Sequence, residues 1–374
     1  ELKEVVDKHG DERRPRLVAA TGDVTEEDLI ARENVVVTIT ATGYAKRTKV
    51  DAYKSQKRGG KGVRGAELKQ DDVVKNFFVC STHDWILFFT NFGRVYRLKA
   101  YELPEAGRTA RGQHVANLLE FQPEEKIAQI IQIQTYQDAP YLVLATRDGR
   151  VKKSRLTDYE SARSAGLIAI NLNEGDALIG ASLVSADDDI LLVSEQGQSI
   201  RFTADDEQLR PMGRATAGVK GMRFRGDDQL LAMTTVKEDD FLLVATSGGY
   251  GKRTPISEYN PQGRGGMGVM TFKYTPKRGK LIGALAVEED DQIFAITSAG
   301  GVIRTEVNQI RPSSRATMGV RLVDLAEGNE LLAIDVNVED EGEQEATAVA
   351  KGEKTLDQGA DPANVNSVET DGKE

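Results

Sequence analysis

Residues 241–254 read FLLVATSGGYGKRT: six apolar or small residues, a turn carrying Gly249, then a short strand ending in cations. An apolar run of that length is too short for a helix and too continuous for a strand with one wet face, so it is expected to be buried on both sides. The glycine is the residue type that admits the positive φ of a tight hairpin. The same piece recurs as VVVTITATGYAKRT (35–48), WILFFTNFGRVYRL (85–98), YLVLATRDGRVKKS (141–154), ILLVSEQGQSIRFT (190–203) and IFAITSAGGVIRT (293–305). The turn glycines Gly43, Gly93, Gly149, Gly197, Gly249 and Gly300 are spaced 50, 56, 48, 52 and 51 residues apart.

A second series runs in phase. A basic residue followed by glycine appears in KRGGKGV (57–63), RTARGQHV (108–115), RSAGLIAI (163–170), RATAGVKG (214–221), RGGMGV (264–269) and RATMGV (315–320). Its last glycines, Gly62, Gly112, Gly166, Gly218, Gly268 and Gly319, are spaced 50, 54, 52, 50 and 51 residues apart. Two glycine series sharing one period define six structural repeats. A third apolar strand closes each unit: VVKNFFV (73–79), IAQIIQI (127–133), LIGASLV (178–184), LLAMTTV (230–236), LIGALAV (281–287) and LLAIDV (331–336).

Each repeat therefore holds three clear strands and room for a fourth. The expected fold is all-β, a six-bladed β-pinwheel: a propeller-like ring of six four-stranded repeats of about 50 residues each. One such unit cannot bury both faces of its sheet, whereas a ring can, and closure removes exposed lateral edges. The ends differ. Residues 1–9 read as a polar helix stopped by Gly10. Residues 337–374 hold 11 acidic and 3 basic side chains and are expected to be a disordered acidic tail.

Composition limits the function. The chain has 374 residues, and no apolar run approaches the ~18 residues of a membrane helix. One cysteine, Cys80, excludes an intramolecular disulfide framework and a Cys-based zinc site. The overall charge of −10 is carried by the ends: residues 35–336 hold 38 acidic and 40 basic side chains. A near-neutral core still binds a polyanion when its cations share a face.

The densest cationic motif is Gln56-Lys57-Arg58-Gly59-Gly60-Lys61-Gly62, followed by Arg64. Glycines let backbone N–H groups approach a phosphate, and the cations supply charge, which suits sequence-independent backbone contact. Cations recur at like positions of the other repeats: Lys46, Arg47, Lys49, Arg94, Arg97, Lys152, Lys153, Arg201, Lys252, Arg253 and Arg304 after the turns, and Arg108, Arg111, Arg163, Arg214, Arg264 and Arg315 in the second element. Equivalent positions in a ring lie at equivalent radius, so these cations are expected to form a basic rim. Bending duplex DNA around such a rim costs several kcal/mol, on the order of 1–6, which many phosphate contacts must offset. The alternative is that they pair with neighbouring acids.

Other patterns carry less. Gly263–Gly268 fits G-x-G-x-x-G but is the fifth copy of the repeat glycine element, without a βαβ context. There is no Walker A loop. His83-Asp84 reads as a surface turn, Asp187-Asp188-Asp189 lacks the rest of a calcium loop, and Cys80 reads as core. No metal site and no catalytic residue is expected.

With these residues in view, the heptad QKRGGKG at 56–62 resembles the box of the bacterial gyrase A family, and it lies in the first of six repeats, where that box belongs. Lys57 stands where arginine is commoner; the charge is kept. Residues 33–336 resemble the C-terminal domain of the DNA gyrase A family, 1–32 the end of its coiled-coil tower with a linker, and 337–374 its variable tail. The resemblance implies a domain that wraps double-stranded DNA with positive writhe, with Gln56 to Gly62 as the determinant of full wrapping. It implies partners too: the rest of the gyrase A polypeptide, together with the gyrase B polypeptide, in an A2B2 heterotetramer in the bacterial cytoplasm. ATP, magnesium and the cleavage tyrosine belong elsewhere in that assembly, so this chain would need no cofactor, would not be an enzyme alone, and would be a monomer. The rivals are the corresponding domain of topoisomerase IV and a protein-binding propeller of the WD-repeat, Kelch or chromosome-condensation-regulator kind. An intact box and six regular repeats favour gyrase, and the single tryptophan, Trp85, is followed by Ile86 and not by aspartate.

Overall fold

The computed structural model describes residues 2–10, 27–53, 74–161, 166–299, 302–337, 345, 346 and 349. The chain divides into two compact units, residues 1–32 and 33–374. The first contains an α-helix, Leu2–His9, and a 3-10 turn, Glu27–Leu29. Gly10 follows the helix, as the sequence predicts.

The second unit is a six-bladed β-propeller built of antiparallel sheets. In blade 1 the strand Asn34–Thr40 pairs on one side with Val74–Ser81 and on the other with Tyr44–Lys49. Each later blade repeats this order, with middle strands Trp85–Thr90, Tyr141–Thr146, Asp189–Ser194, Phe241–Thr246 and Gln292–Thr297. The strands Ile127–Ile133, Leu178–Val184, Leu230–Val236, Leu281–Val287 and Leu331–Val336 pack against one another in succession, which makes them the inner strands of the ring.

The middle strands are mostly apolar because each is covered on both faces. In blade 3, Leu142 and Leu144 join a cluster with blade 2, while Val143 and Ala145 join one with blade 4. Alternation along a strand thus sorts residues between two dry interfaces instead of between core and water. Every middle strand also carries a register shift against its inner neighbour near its last residue, for example between Ile39 and Thr40 and between Ala245 and Thr246. A bulge at this place adds local twist to each blade.

The fourth strand is where the fold departs from a simple repeat. It is only two residues long, and it comes from the following repeat. Gln113–His114 pairs with Tyr44–Ala45, Leu167–Ile168 with Arg94–Val95, Val219–Lys220 with Arg150–Val151, Val269–Met270 with Gln198–Ser199, and Val320–Arg321 with Tyr250–Gly251. Blade 6 has three strands among the described residues. The glycine that opens each swapped strand has positive φ: 86° at Gly112, 71° at Gly166 and Gly218, 69° at Gly268 and 68° at Gly319. The second glycine series is therefore the signature of strand exchange between repeats.

Candidate nucleic-acid interface

The cations after the turns divide into two sets by position, and most of both face inward. Three positions after the turn glycine stand Lys46, Lys152 and Lys252, all buried. Lys46 Nζ donates to the Gly107 and Arg108 carbonyls, Lys152 Nζ to those of Ala169 and Arg214, and Lys252 Nζ to those of Ser314 and Arg315. Each ammonium thus ties its hairpin to the second element of the next repeat. Burial lowers the pKa of Lys152 to about 7 and that of Lys252 to about 8, with Arg214 and Arg315 adding repulsion.

One residue further on, Arg47, Lys153, Arg201 and Arg253 also reach the next repeat. Arg47 donates to the Leu103 carbonyl and pairs with Glu105 at 2.9 Å. Lys153 donates to the Ala204 carbonyl and pairs with Asp206 at 2.8 Å. Arg201 donates to the Ile256 and Tyr259 carbonyls and pairs with Asp189 and Glu238. Arg253 donates to the Ile310 carbonyl and pairs with Glu289 at 3.0 Å. In blade 2 the equivalent Arg97 lies over the Trp85 ring, 4.2 Å from its centroid, and donates to the Tyr136 hydroxyl.

The repeat pattern predicts Lys46, Lys152, Lys153, Arg201, Lys252 and Arg253 on a basic rim; the structure places them in the interior instead. The physical reason is that a stacked ring must satisfy loop carbonyls between blades, and a long cationic side chain does so while its stem packs with the apolar face. Pairing with neighbouring acids, the alternative reading of these cations, is what the geometry shows for Arg47, Lys153, Arg201 and Arg253; the acid lies in the next repeat for Arg47 and Lys153, whereas Asp189 belongs to the same blade as Arg201. Lys49 and Arg304 are exposed: Lys49 pairs with Glu33 at 3.4 Å, and Arg304 lies over the Phe294 ring.

The lowered lysine pKa values make stability pH-dependent. An unfolded lysine binds its proton up to about pH 10.5, whereas folded Lys152 and Lys252 release theirs near 7 and 8. Between those values the unfolded chain holds more protons, so stability rises with pH by up to about 1.4 kcal/mol per pH unit per group. Denaturation of the unaltered chain and of Lys152→Met from pH 7 to 10 is expected to show a smaller rise in the variant. Equal slopes would mean that Lys152 is not depressed.

The second element builds a different surface. The arginine four residues before its glycine donates back to the preceding swapped strand: Arg214 to the Ile168 carbonyl at 2.7 Å, Arg264 to that of Lys220 at 2.7 Å, and Arg315 to that of Met270 at 3.3 Å. A main-chain bond repeats in step, from Asn171 to Thr216, Arg223 to Gly266 and Lys273 to Thr317. Consecutive elements are thus stitched into one ribbon across repeats 3 to 6. Arg108, Arg111, Arg214, Arg264 and Arg315 are partly exposed on these loops. The Arg111 guanidinium stacks 3.5 Å from the Tyr44 ring centroid, and Arg94 donates to the Gly166 carbonyl. Gly263–Gly268 is part of this ribbon, as its place in the repeat predicts.

The ribbon also carries cations outside the recurrent positions of the repeats. Lys220, Arg223, Arg225, Lys273 and Arg321 are exposed beside it, and Arg278 is partly so. They lie in GVKGMRFRG (218–226), FKYTPKRGK (272–280) and GVR (319–321), just after the glycine; their basic composition was the available signal. Arg278 and Arg321 flank Tyr250 at 4.3 and 5.9 Å, and the Arg321 hydrogen bond leads the effects that hold this phenol below its usual pKa. The local field there is positive.

Gln56, Lys57, Arg58, Gly59, Gly60, Lys61, Gly62, Arg64 and Arg163 lie outside the described residues. Among the described residues no cluster of metal ligands occurs and no helix is long and apolar enough to cross a membrane. Cys80 is buried and its thiol pKa is pushed up by desolvation, in keeping with a core residue.

Comparison with known proteins agrees with this architecture. The family described as DNA gyrase C-terminal domain, beta-propeller, matches six times, at residues 34–81, 84–134, 140–185, 188–237, 240–288 and 291–337. The DNA gyrase A polypeptide of Mycolicibacterium smegmatis is 69% identical over 341 residues, covering 91% of this chain and 40% of that protein. The chain spans about two-fifths of the length of such relatives. Among solved structures, the C-terminal domain of DNA topoisomerase IV superposes with a TM-score of 0.76 at 27% identity, covering 87% of this chain and all of that one. The DNA gyrase A C-terminal domain superposes at 0.62 with 30% identity, covering 81% and 99%. Ring shape alone thus does not separate the two lineages; the sequence identity to gyrase A polypeptides does. The chain belongs to the DNA gyrase C-terminal β-propeller family.

Proposed function

We propose that this chain is the DNA-wrapping part of a gyrase A polypeptide. It binds duplex DNA along the ribbon and bends it with positive writhe, so that the complete enzyme introduces negative supercoils with ATP. The observation that carries this reading is the ribbon: one arginine-to-carbonyl stitch repeated three times, holding exposed cations in register over successive blades. Sequence-independent binding needs many phosphate contacts along a curved path, and a ribbon of repeated loops supplies them. The box, Gln56 to Gly62, completes the path in the first repeat. The chain has no catalytic role alone and no cofactor of its own. Its partners are duplex DNA, the rest of the gyrase A polypeptide and the gyrase B polypeptide in an A2B2 heterotetramer in the bacterial cytoplasm, and it is monomeric when isolated.

The test is topological. Nicked circular plasmid is sealed with increasing amounts of the chain, the protein is removed, and the sign of the trapped linking difference is read on chloroquine gels. A positive shift that grows with protein is expected, and replacement of Lys57, Arg58 and Lys61 by alanine should remove most of it. Binding without a shift would leave a bending module of the topoisomerase IV kind. No binding at low salt would return the chain to the protein-binding propellers.

A further inference from the structure

Five hydrophobic clusters join the six blades in succession, each built from facing residues of two neighbours. Blade 1 has a second face, made by Val36, Val50, Val74, Phe77 and Val79, all buried. By the order of the ring this is where blade 6 would pack, yet no described residue of blade 6 belongs to that cluster. Ala346 covers it instead, fully buried, with Val349 packed against it. Both residues are helical. They fall in ATAVA (346–350), an uncharged run that follows the acidic VEDEGEQE (338–345).

Blade 1 is also weakly held along its inner edge. Its inner strand, Val74–Ser81, lacks the packing that the other inner strands share. A cavity of about 750 Å³ opens beside it, lined by Lys75 and Asn76 on one side and Ile127 to Ile130 on the other. Lys75 of this strand offsets part of the rise that burial imposes on the Asp335 carboxyl of blade 6.

We propose that Ala346 and Val349 form an intramolecular clasp that takes the place of a sixth apolar interblade cluster, which the described residues do not form, and keeps blade 1, the repeat that carries the box, folded. An apolar face of this kind does not stay exposed to water without cost, and a small side chain fits a patch that a whole blade does not reach. The acidic segment beyond Asn337 then has a structural anchor within it and is more than a solubilising end. The proposal concerns blade 1 itself and stands whether or not the ribbon binds DNA.

Cys80 is the reporter. It is the only cysteine in the chain, it lies on the inner strand of blade 1, and it is buried. Its reaction with a thiol reagent under native conditions requires blade 1 to open. In a chain ending at Asn337, and in Ala346→Asp, modification of Cys80 is expected to be at least about tenfold faster than in the unaltered chain. Hydrogen exchange should rise at Asn34–Thr40 and Val74–Ser81 and stay unchanged at Tyr141–Thr146 and Phe241–Thr246. If Ala346→Asp does not fold, the shortened chain decides. Unchanged Cys80 reactivity, or faster exchange spread evenly over all blades, would overturn the clasp.

Discussion

Affinity for duplex DNA is expected to fall about a thousandfold or more between 50 and 200 mM salt, as for proteins that neutralise roughly six to ten phosphates. The cations able to make such contacts are those on and beside the ribbon, among them the exposed Lys220, Arg223, Arg225 and Lys273 and the partly exposed Arg214, Arg264 and Arg315. Each one that touches a phosphate releases a counterion, so Lys220→Ala or Arg223→Ala should flatten the slope of log K against log salt by about 0.9. Lys153→Met should leave that slope unchanged, because Lys153 is buried and already paired with Asp206. Binding isotherms at several salt concentrations for these variants separate the two kinds of cation. A flat response in the unaltered chain would remove the ribbon as a phosphate track, and a slope loss in Lys153→Met would show that the hairpin cations reach DNA after all.

That contrast marks the limit of what the residue pattern reveals. The six blades are legible because two glycine series and three apolar strands keep one period, and each corresponds to a definite geometric need: a hairpin turn, a swapped strand, a doubly covered sheet. Period says that equivalent residues occupy equivalent places, but not whether that place is wet. Lys152 and Arg214 both recur as cations, yet the Lys152 ammonium is buried on the carbonyl of Arg214 while Arg214 lies on the surface. Lysines at one hairpin position in blades 1, 3 and 5 were a usable warning, since Tyr96 and Ile200, both buried, stand there in blades 2 and 4. A position that accepts tyrosine, isoleucine or lysine is an interior one wherever a following blade covers it; in blade 6 Ile303 stands there and is exposed. The exchange of the fourth strand was hidden for a different reason: a two-residue strand has no hydrophobic period to read.

The swapped strand also sets the largest expected loss of stability. Gly268 has φ of 69°, and a Cβ there would lie 2.6 Å from the Ser199 carbonyl carbon and 3.2 Å from Ile200 Cβ. Gly268→Ala should therefore cost about 1–2 kcal/mol for the left-handed backbone and more for the collision, roughly 3 kcal/mol or above in all. Ser199 cannot retreat cheaply, because it pairs with Val269 on one side and with Val193 on the other. Gly263→Ala in the same loop is the control: it has no positive φ, and a Cβ there meets nothing within 4 Å, so a change within about 0.5 kcal/mol is expected. Chemical denaturation of the two variants measures the difference. The consequence reaches the surface, since the Arg315 guanidinium donates to the Met270 carbonyl on that strand, so a displaced strand releases the stitch between repeats 5 and 6. Gly268→Ala should thus weaken DNA binding at temperatures where the rest of the ring is still folded. Equal stability of the two variants would mean that the strand exchange is incidental, and that the ribbon is held by its arginines alone.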